Sequence, residues 1–143
     1  MKAEEKEILF IYNSEKQEDR KARGYAETVD GYALNDKDVS KVKITETQIA
    51  EIADDMGVTV VQLVDENSEY YMNELKDKSI DDSALTTILS KNPEALKTPI
   101  AYLGKKAFFV DSAYSFVKQG IEIEGVKSDK GNAFEKPVES RNL

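Results

Sequence analysis

Apolar runs and helical stripes alternate along the start of the chain. Residues 7–12, EILFIY, form an apolar run of strand length that is rich in β-forming residues. In the next segment, about 16–30, the apolar residues have the i, i+3, i+4, i+7 spacing of one helix face. These are Ala22, Tyr25, Ala26 and Val29. Gly31 follows where a helix-ending glycine belongs, and 32–34 predict a short second strand before the polar residues NDKD.

A block of helices is predicted between about residues 45 and 92. TETQIAEIADDMG begins with Thr45 and Gln48 at capping-box spacing and ends at Gly57. Thr59 and Gln62 repeat this spacing ahead of VVQLV, which favours a short helix, although its β-branched residues leave a strand open.

Two more helices complete this block. SEYYMNEL predicts a short helix, and Ser79 and Asp82 have the spacing of a cap for a longer one that stops near Asn92-Pro93. Its apolar side is formed by Ile80, Leu85, Ile88 and Leu89.

The last patterned stretch predicts a hairpin, PIAYL-GKK-AFFV, and a short helix, SAYSFVKQ, that ends at Gly120. We therefore expect one domain over 1–125. The polar residues 126–143 show neither periodicity and predict a tail that is mobile or strapped over the surface, with Phe134 and Val138 as anchors. The element order is β-α-β, helical block, β-β-α, an α/β order that follows the thioredoxin-like plan with the block inserted between its halves.

Composition narrows the possible functions. The 143 residues include 28 acidic and 20 basic side chains, for a formal charge of −8. This balance disfavours direct nucleic-acid binding, although a local basic patch stays open. No apolar stretch has the roughly 18 residues of a membrane span. The start, MKAEEKEILFIY, is unlike a signal peptide, so we expect a cytoplasmic protein without membrane contact.

The chain contains neither cysteine nor histidine. A disulfide, a thiolate nucleophile, a thiolate or imidazole metal ligand and a histidine acid–base catalyst are therefore all excluded. Carboxylate sites for hard cations stay open, but no EF-hand spacing is present, and we expect neither metal nor cofactor. A binding role is favoured over catalysis.

Three stretches together resemble the glutaredoxin-coupled arsenate reductase family, which includes the Spx transcriptional regulators. They span roughly residues 8–120 and are IYNSEKQEDRKAR, ITETQIAEIADDMGVTVVQLVDENSEYYMNEL and SIDDSALTTILSKNPEALKTPIAYLGKKAFF. NPEALKTPI is the most specific element. The resemblance implies a thioredoxin-like fold with an inserted helical subdomain, and a cis peptide bond between Thr98 and Pro99.

The chain departs from this family at the reactive positions. The reductases' cysteine falls on Lys16 or on Gln17, depending on the side from which the loop is aligned, and the Spx C-x-x-C pair falls on Lys16 and Asp19. The three arginines that cradle arsenate fall on Val61, on Thr98 and near Asp111. The resemblance therefore implies a scaffold without thiol chemistry and without the oxyanion cradle, because uncharged or acidic side chains do not replace bidentate guanidinium contacts.

The remaining candidates form a binding face at the start of the first helix. Its basic members are Lys16, Arg20, Lys21, Arg23 and Lys97. A helix N-terminus beside such bases suits a small anion, an acidic peptide or a glutathione-like thiol. The alternative is a solvated helix face in which Glu15, Glu18 and Asp19 pair with these bases, and this alternative is favoured.

Other residues have both a structural and a functional interpretation. Asp19 is expected to cap or orient the first helix, since a catalytic role would need a second group that the sequence does not identify. Thr98 and Pro99 are expected to shape a turn and to contact an extended peptide, as in thioredoxin-like proteins. Tyr70 and Tyr71 favour burial over a ligand platform.

The leading hypothesis is a non-redox module that binds a protein partner or a small thiol or anion at the former active-site face. Two alternatives remain: a reductase or transferase that borrows a thiol from glutathione or a partner protein, and an Spx-like regulator that acts by protein contact.

Overall fold

A four-stranded mixed sheet organises the computed structural model, which describes residues 1–120. The strands are β1 (Glu7–Tyr12), β2 (Ala33–Asp38), β3 (Ile100–Leu103) and β4 (Lys106–Phe109). The α-helices are α1 (Gln17–Glu27), α2 (Glu46–Met56), α3 (Asp82–Lys91) and α4 (Tyr114–Val117). Shorter elements are the 3-10 turns Val60–Leu63 and Pro93–Ala95 and a π-helical turn at Tyr71–Leu75. The predicted tail, with Phe134 and Val138, lies outside the described residues.

The strand order is β2-β1-β3-β4. β1 is parallel to β2 and antiparallel to β3, and β3 is antiparallel to β4. The helical elements between β2 and β3 form the predicted block. This arrangement confirms the α/β, thioredoxin-like fold that the element order and the resemblance implied.

Apolar residues alternate across β1 because successive side chains of a strand point to opposite faces. Ile8, Phe10 and Tyr12 pack on one face with α1 and Phe116. On the other face, Leu9 and Ile11 join a larger core that the helical block covers. β1 is therefore buried on both faces.

Three local signals behave as the sequence predicted. Thr45 and Gln48 form a reciprocal capping box at the start of α2: the Gln48 N–H donates to Thr45 Oγ1, and the Thr45 N–H donates to Gln48 Oε1, each at 3.1 Å. Gly57 ends α2 with φ 71°, in the left-handed region that glycine adopts without a Cβ penalty. Thr59 likewise stands before a short 3-10 turn that contains Gln62, and this segment is not a strand.

Three sequence predictions were wrong in detail. β2 continues through NDKD to Asp38, because an edge strand pairs through its main chain and needs few buried side chains. Tyr25 is 39% exposed and does not belong to the buried stripe of α1. The cap of α3 is Asp81, whose carboxylate accepts the Ala84 N–H at 2.8 Å, and not Ser79.

Candidate functional site

Lys16 occupies the last position before α1, in the loop that resembles the reductases' cysteine loop. Its Nζ donates to Asp65 Oδ2 at 2.9 Å and to the carbonyl oxygen of Leu96 at 3.0 Å. Asp65 lies beside Leu96 because Val64 and Leu96 form an antiparallel bridge. The lysine thus ties the loop after β1 to the helical block and to the segment that leads into β3.

Asp19 lies in the first turn of α1 and is buried, with 2% of its surface exposed. Its Oδ2 accepts the Asn13 N–H at 2.8 Å and the hydroxyl of Thr98. Burial raises the pKa of this carboxyl, while the bonds from Thr98 and Asn13 and the charge of Lys16 act against that rise. Asp19 therefore orients the loop and Thr98 together, and it does not cap α1, whose start has no side-chain cap bond.

The Thr98–Pro99 peptide bond is cis, as the resemblance implied. Pro99 is buried, and its carbonyl accepts the Val110 N–H at 3.0 Å, which brings the end of β4 beside it. Thr98 is partly exposed. Among residues 1–120, its main-chain N–H and C=O have no hydrogen-bond partner. These groups can therefore accept an extended chain.

The basic residues of α1 do not converge on one point. Arg20 donates from Nη1 to the Ser14 carbonyl at 2.7 Å, and Lys21 lies 3.8 Å from Glu18 on an exposed surface. Arg23 pairs with Asp36 at 2.6 Å and with Glu27 at 3.2 Å. Arg23 is thereby held by Asp36 of β2 and by Glu27 of its own helix.

Lys97 is also engaged, because its ammonium lies 4.7 Å from the centre of the Phe109 ring. Asp19 and Thr98, joined by a hydrogen bond, and Lys16, whose charge acts on Asp19, therefore form the centre of the candidate face. Arg20 and Lys21 border it with their charges exposed, and Arg23 and Lys97 are held elsewhere by their own partners.

The three positions aligned with the reductases' arginines carry no guanidinium. Val61 is 56% exposed in its 3-10 turn. Thr98 is bonded to Asp19, and Asp111 donates its N–H to Ser115 Oγ at 3.0 Å. The site thus holds one paired ammonium and one buried carboxyl, an arrangement that can bind and position but has no thiol to react.

A second polar cluster at this end of the sheet was not predicted from the sequence. Asp38 Oδ1 accepts N–H groups of Ser14 at 3.1 Å and Ser40 at 3.0 Å, and the Ser40 hydroxyl at 2.7 Å. Burial opposes the charge, but these hydrogen bonds outweigh it and lower the pKa of Asp38 to about 2. The D-V-S spacing at the end of β2 was the available signal, since an aspartate often bonds the N–H two residues on.

Within residues 1–120, no cluster of three or more acidic, histidine or cysteine side chains is arranged to hold a metal ion. The same part of the chain has no helix that is long and apolar enough to cross a membrane. Tyr70 and Tyr71 are partly buried and pack against the larger core. Asn13 and Asp65 are the other site residues that the sequence did not single out.

No protein-family model matches the chain, and no curated protein matches it significantly. Solved structures do match. The arsenate reductase from Vibrio cholerae has a TM-score of 0.70 at 15% identity, over 80% of this chain and 98% of that one. A protein from Staphylococcus aureus has a TM-score of 0.61 at 22% identity, over 76% and 96% of the two chains.

An arsenate reductase (ArsC) related protein from Brucella melitensis has a TM-score of 0.57 at 15% identity, over 90% of this chain and 93% of its own. Identities this low establish the architecture alone. The shared architecture nevertheless covers nearly the whole length of these proteins, and the chain departs from thiol chemistry because it has no cysteine. This chain therefore has the thioredoxin-like fold of the ArsC structural family, in a form without cysteine.

Proposed function

We propose that this protein is a non-redox binding module that holds an extended segment of a protein partner at the face formed by the loop after β1 and by Thr98. The observation that carries the proposal is that the side chains of Lys16 and Asp19 are each fixed by two hydrogen bonds. The ammonium bonds to Asp65 and Leu96, and the carboxyl bonds to Asn13 and Thr98. A face so fixed is organised before any ligand arrives, which reduces the entropy cost of binding.

The main chain of Thr98 favours a ligand in an extended conformation. Its N–H and C=O are unpaired among residues 1–120, and the side chain is fixed by Asp19. A peptide that runs alongside would satisfy both groups with main-chain hydrogen bonds, as in strand-addition recognition. Such binding needs neither a thiol nor an oxyanion cradle.

Positive charge at the border of the face favours a ligand with acidic side chains. Arg20 and Lys21 are exposed on the first turns of α1, and Lys21 has only a 3.8 Å contact with Glu18. Rim charges of this kind steer association and contribute to its rate more than to the lifetime of the complex. We therefore assign recognition to the main chain of Thr98 and steering to these two bases.

The test is an affinity pull-down with the full chain, in which recovered proteins are quantified by mass spectrometry. A double variant, Arg20→Glu with Lys21→Glu, is compared with wild type. Lys105→Glu is the control, because it inverts an exposed charge in the β3–β4 turn, at the opposite end of β3 from Thr98. A partner retained by wild type and Lys105→Glu but lost by the double variant supports the proposal. Identical recovery from all three proteins would refute the proposed face.

A further inference from the structure

A second surface lies on the helical block. Between the first 3-10 turn and α3 the chain encloses a pocket of about 100 Å³. Its walls include Val61, Tyr71, Leu75 and Leu85. Because burying apolar surface is favourable, the apolar part of this lining suits an aliphatic side chain.

Two apolar side chains in or next to the pocket lining are exposed. Val61 is 56% exposed, and Met72, next to Tyr71 in the π-helical turn, is 54% exposed. Two of the five exposed large hydrophobic residues among residues 1–120 therefore belong to this short region. Exposed apolar side chains gathered in one region indicate contact with another molecule more than side chains scattered singly do.

The charge around the pocket selects the kind of molecule. Glu66, Asp77 and Lys78 line its border. Residues 65–77 carry five acidic side chains against one lysine, and of these acids only Asp65 is paired with a base in the described structure. A second copy of this chain is disfavoured as the occupant, because the two would each have a formal charge of −8.

We propose that this pocket binds one branched aliphatic side chain of a basic segment from a partner protein. The apolar walls hold the side chain, and Glu66 and Asp77 attract the lysine or arginine residues on either side of it. Anchors of this type place the affinity in one buried side chain and the orientation in the charges around it. This surface is built from the helical block and does not depend on the face at Thr98.

The test is a nuclear magnetic resonance titration of the full chain with three pentapeptides whose termini are blocked. The probe is Lys-Lys-Leu-Lys-Lys; Lys-Lys-Ser-Lys-Lys lacks the aliphatic group, and Glu-Glu-Leu-Glu-Glu inverts the charge. We expect saturable amide shifts centred on residues 60–85 with the probe, and affinity lower by about tenfold or more with the serine peptide. The glutamate peptide should bind weakest.

Variants separate the pocket from general attraction between opposite charges. Val61→Ser and Glu66→Lys should each weaken the probe at least about threefold, whereas Val42→Ser, which alters a residue of similar exposure, should leave it unchanged. Both Val61 and Glu66 are exposed, and the spectra themselves report whether each variant is folded. The proposal is overturned if no saturable shift occurs, if the serine peptide binds equally well, or if shifts spread over the acidic surface. Arg20→Glu with Lys21→Glu should not alter this binding, so failure here is distinct from failure of the proposed function.

Discussion

The ammonium of Lys16 lies 2.9 Å from the carboxylate of Asp65, and this pair joins the loop after β1 to the helical block. The side chains are 24% and 22% exposed, so the pair is largely shielded from water. The lysine is therefore already bound within the protein. The pair acts as part of the scaffold.

We expect Asp65→Asn to lower the free energy of unfolding by about 1–2 kcal/mol, because it leaves the Lys16 ammonium without its charged partner. Urea unfolding monitored by circular dichroism measures this change. Glu18→Gln is the matched control: it removes a contact of 3.8 Å in which Glu18 is 82% exposed, and should alter stability by less than about 0.5 kcal/mol. Equal effects of the two substitutions would contradict the structural role of the Lys16–Asp65 pair.

Because of Asp19, we expect a contribution to the free energy of unfolding that falls as the pH rises. Its pKa in the folded protein is raised above 3.8, chiefly by burial, so the folded state holds its proton more tightly than the unfolded state does. The stabilisation that this difference in pKa provides is complete below pH 3.8 and is lost as the pH rises through the pKa of Asp19 in the folded protein. Relative to Asp19→Asn, which does not titrate, wild type should therefore lose stability with rising pH from about 4. Denaturant unfolding at a series of pH values measures this difference, and a constant or rising difference would contradict the assignment.

For Asp38 we expect the opposite dependence of stability on pH. Its pKa in the folded protein is about 2, below the ordinary value of 3.8, because bonds from Ser14 and Ser40 outweigh burial. The stabilisation is complete above 3.8 and is lost as pH falls toward 2. Asp38→Asn should therefore destabilise the protein at neutral pH and much less at pH 2. The same unfolding series tests both residues, and equal destabilisation at all pH values would exclude a titrating role for Asp38.

Restoring a thiol should not restore arsenate reduction. Lys16→Cys and Gln17→Cys place a thiol at the two aligned positions, but Val61, Thr98 and Asp111 still provide no guanidinium for the oxyanion. We expect both variants to form arsenite, in the presence of glutathione and glutaredoxin, no faster than Lys16→Met does. Formation of arsenite at an enzyme-like rate by either cysteine variant would show that the site still binds oxyanions.

Much of the fold could be predicted because it depends on local signals. The capping box at Thr45, the glycine at position 57 and the apolar run of β1 each act over a few residues. β2 was predicted too short because the residues NDKD are polar, and nothing in their pattern shows that their main chain pairs with β1. Asp81 was missed as a cap since Ser79 and Asp82 offered a competing spacing.

The site was less predictable, because its contacts join distant parts of the chain. Lys16 and Asp65 are 49 residues apart, and Asp19 and Thr98 are 79 residues apart. The family resemblance located Lys16, Asp19 and Thr98, but not the bonds among them and their partners. The basic residues were expected to share a patch or to form a solvated face. Lys21 lies on such a face with Glu18, whereas Arg23 is engaged by Asp36 on β2.

The central claim is that the face beside Thr98 binds a protein partner, and site-specific photo-cross-linking tests it most directly. A photoreactive amino acid replaces Gln17, which is exposed at the start of α1, or Lys105, which is exposed at the opposite end of β3. We predict that a defined partner is cross-linked from position 17 and not from position 105, and that Arg20→Glu with Lys21→Glu reduces its yield. Absence of any specific adduct at position 17, or equal adducts at both positions, would contradict the account.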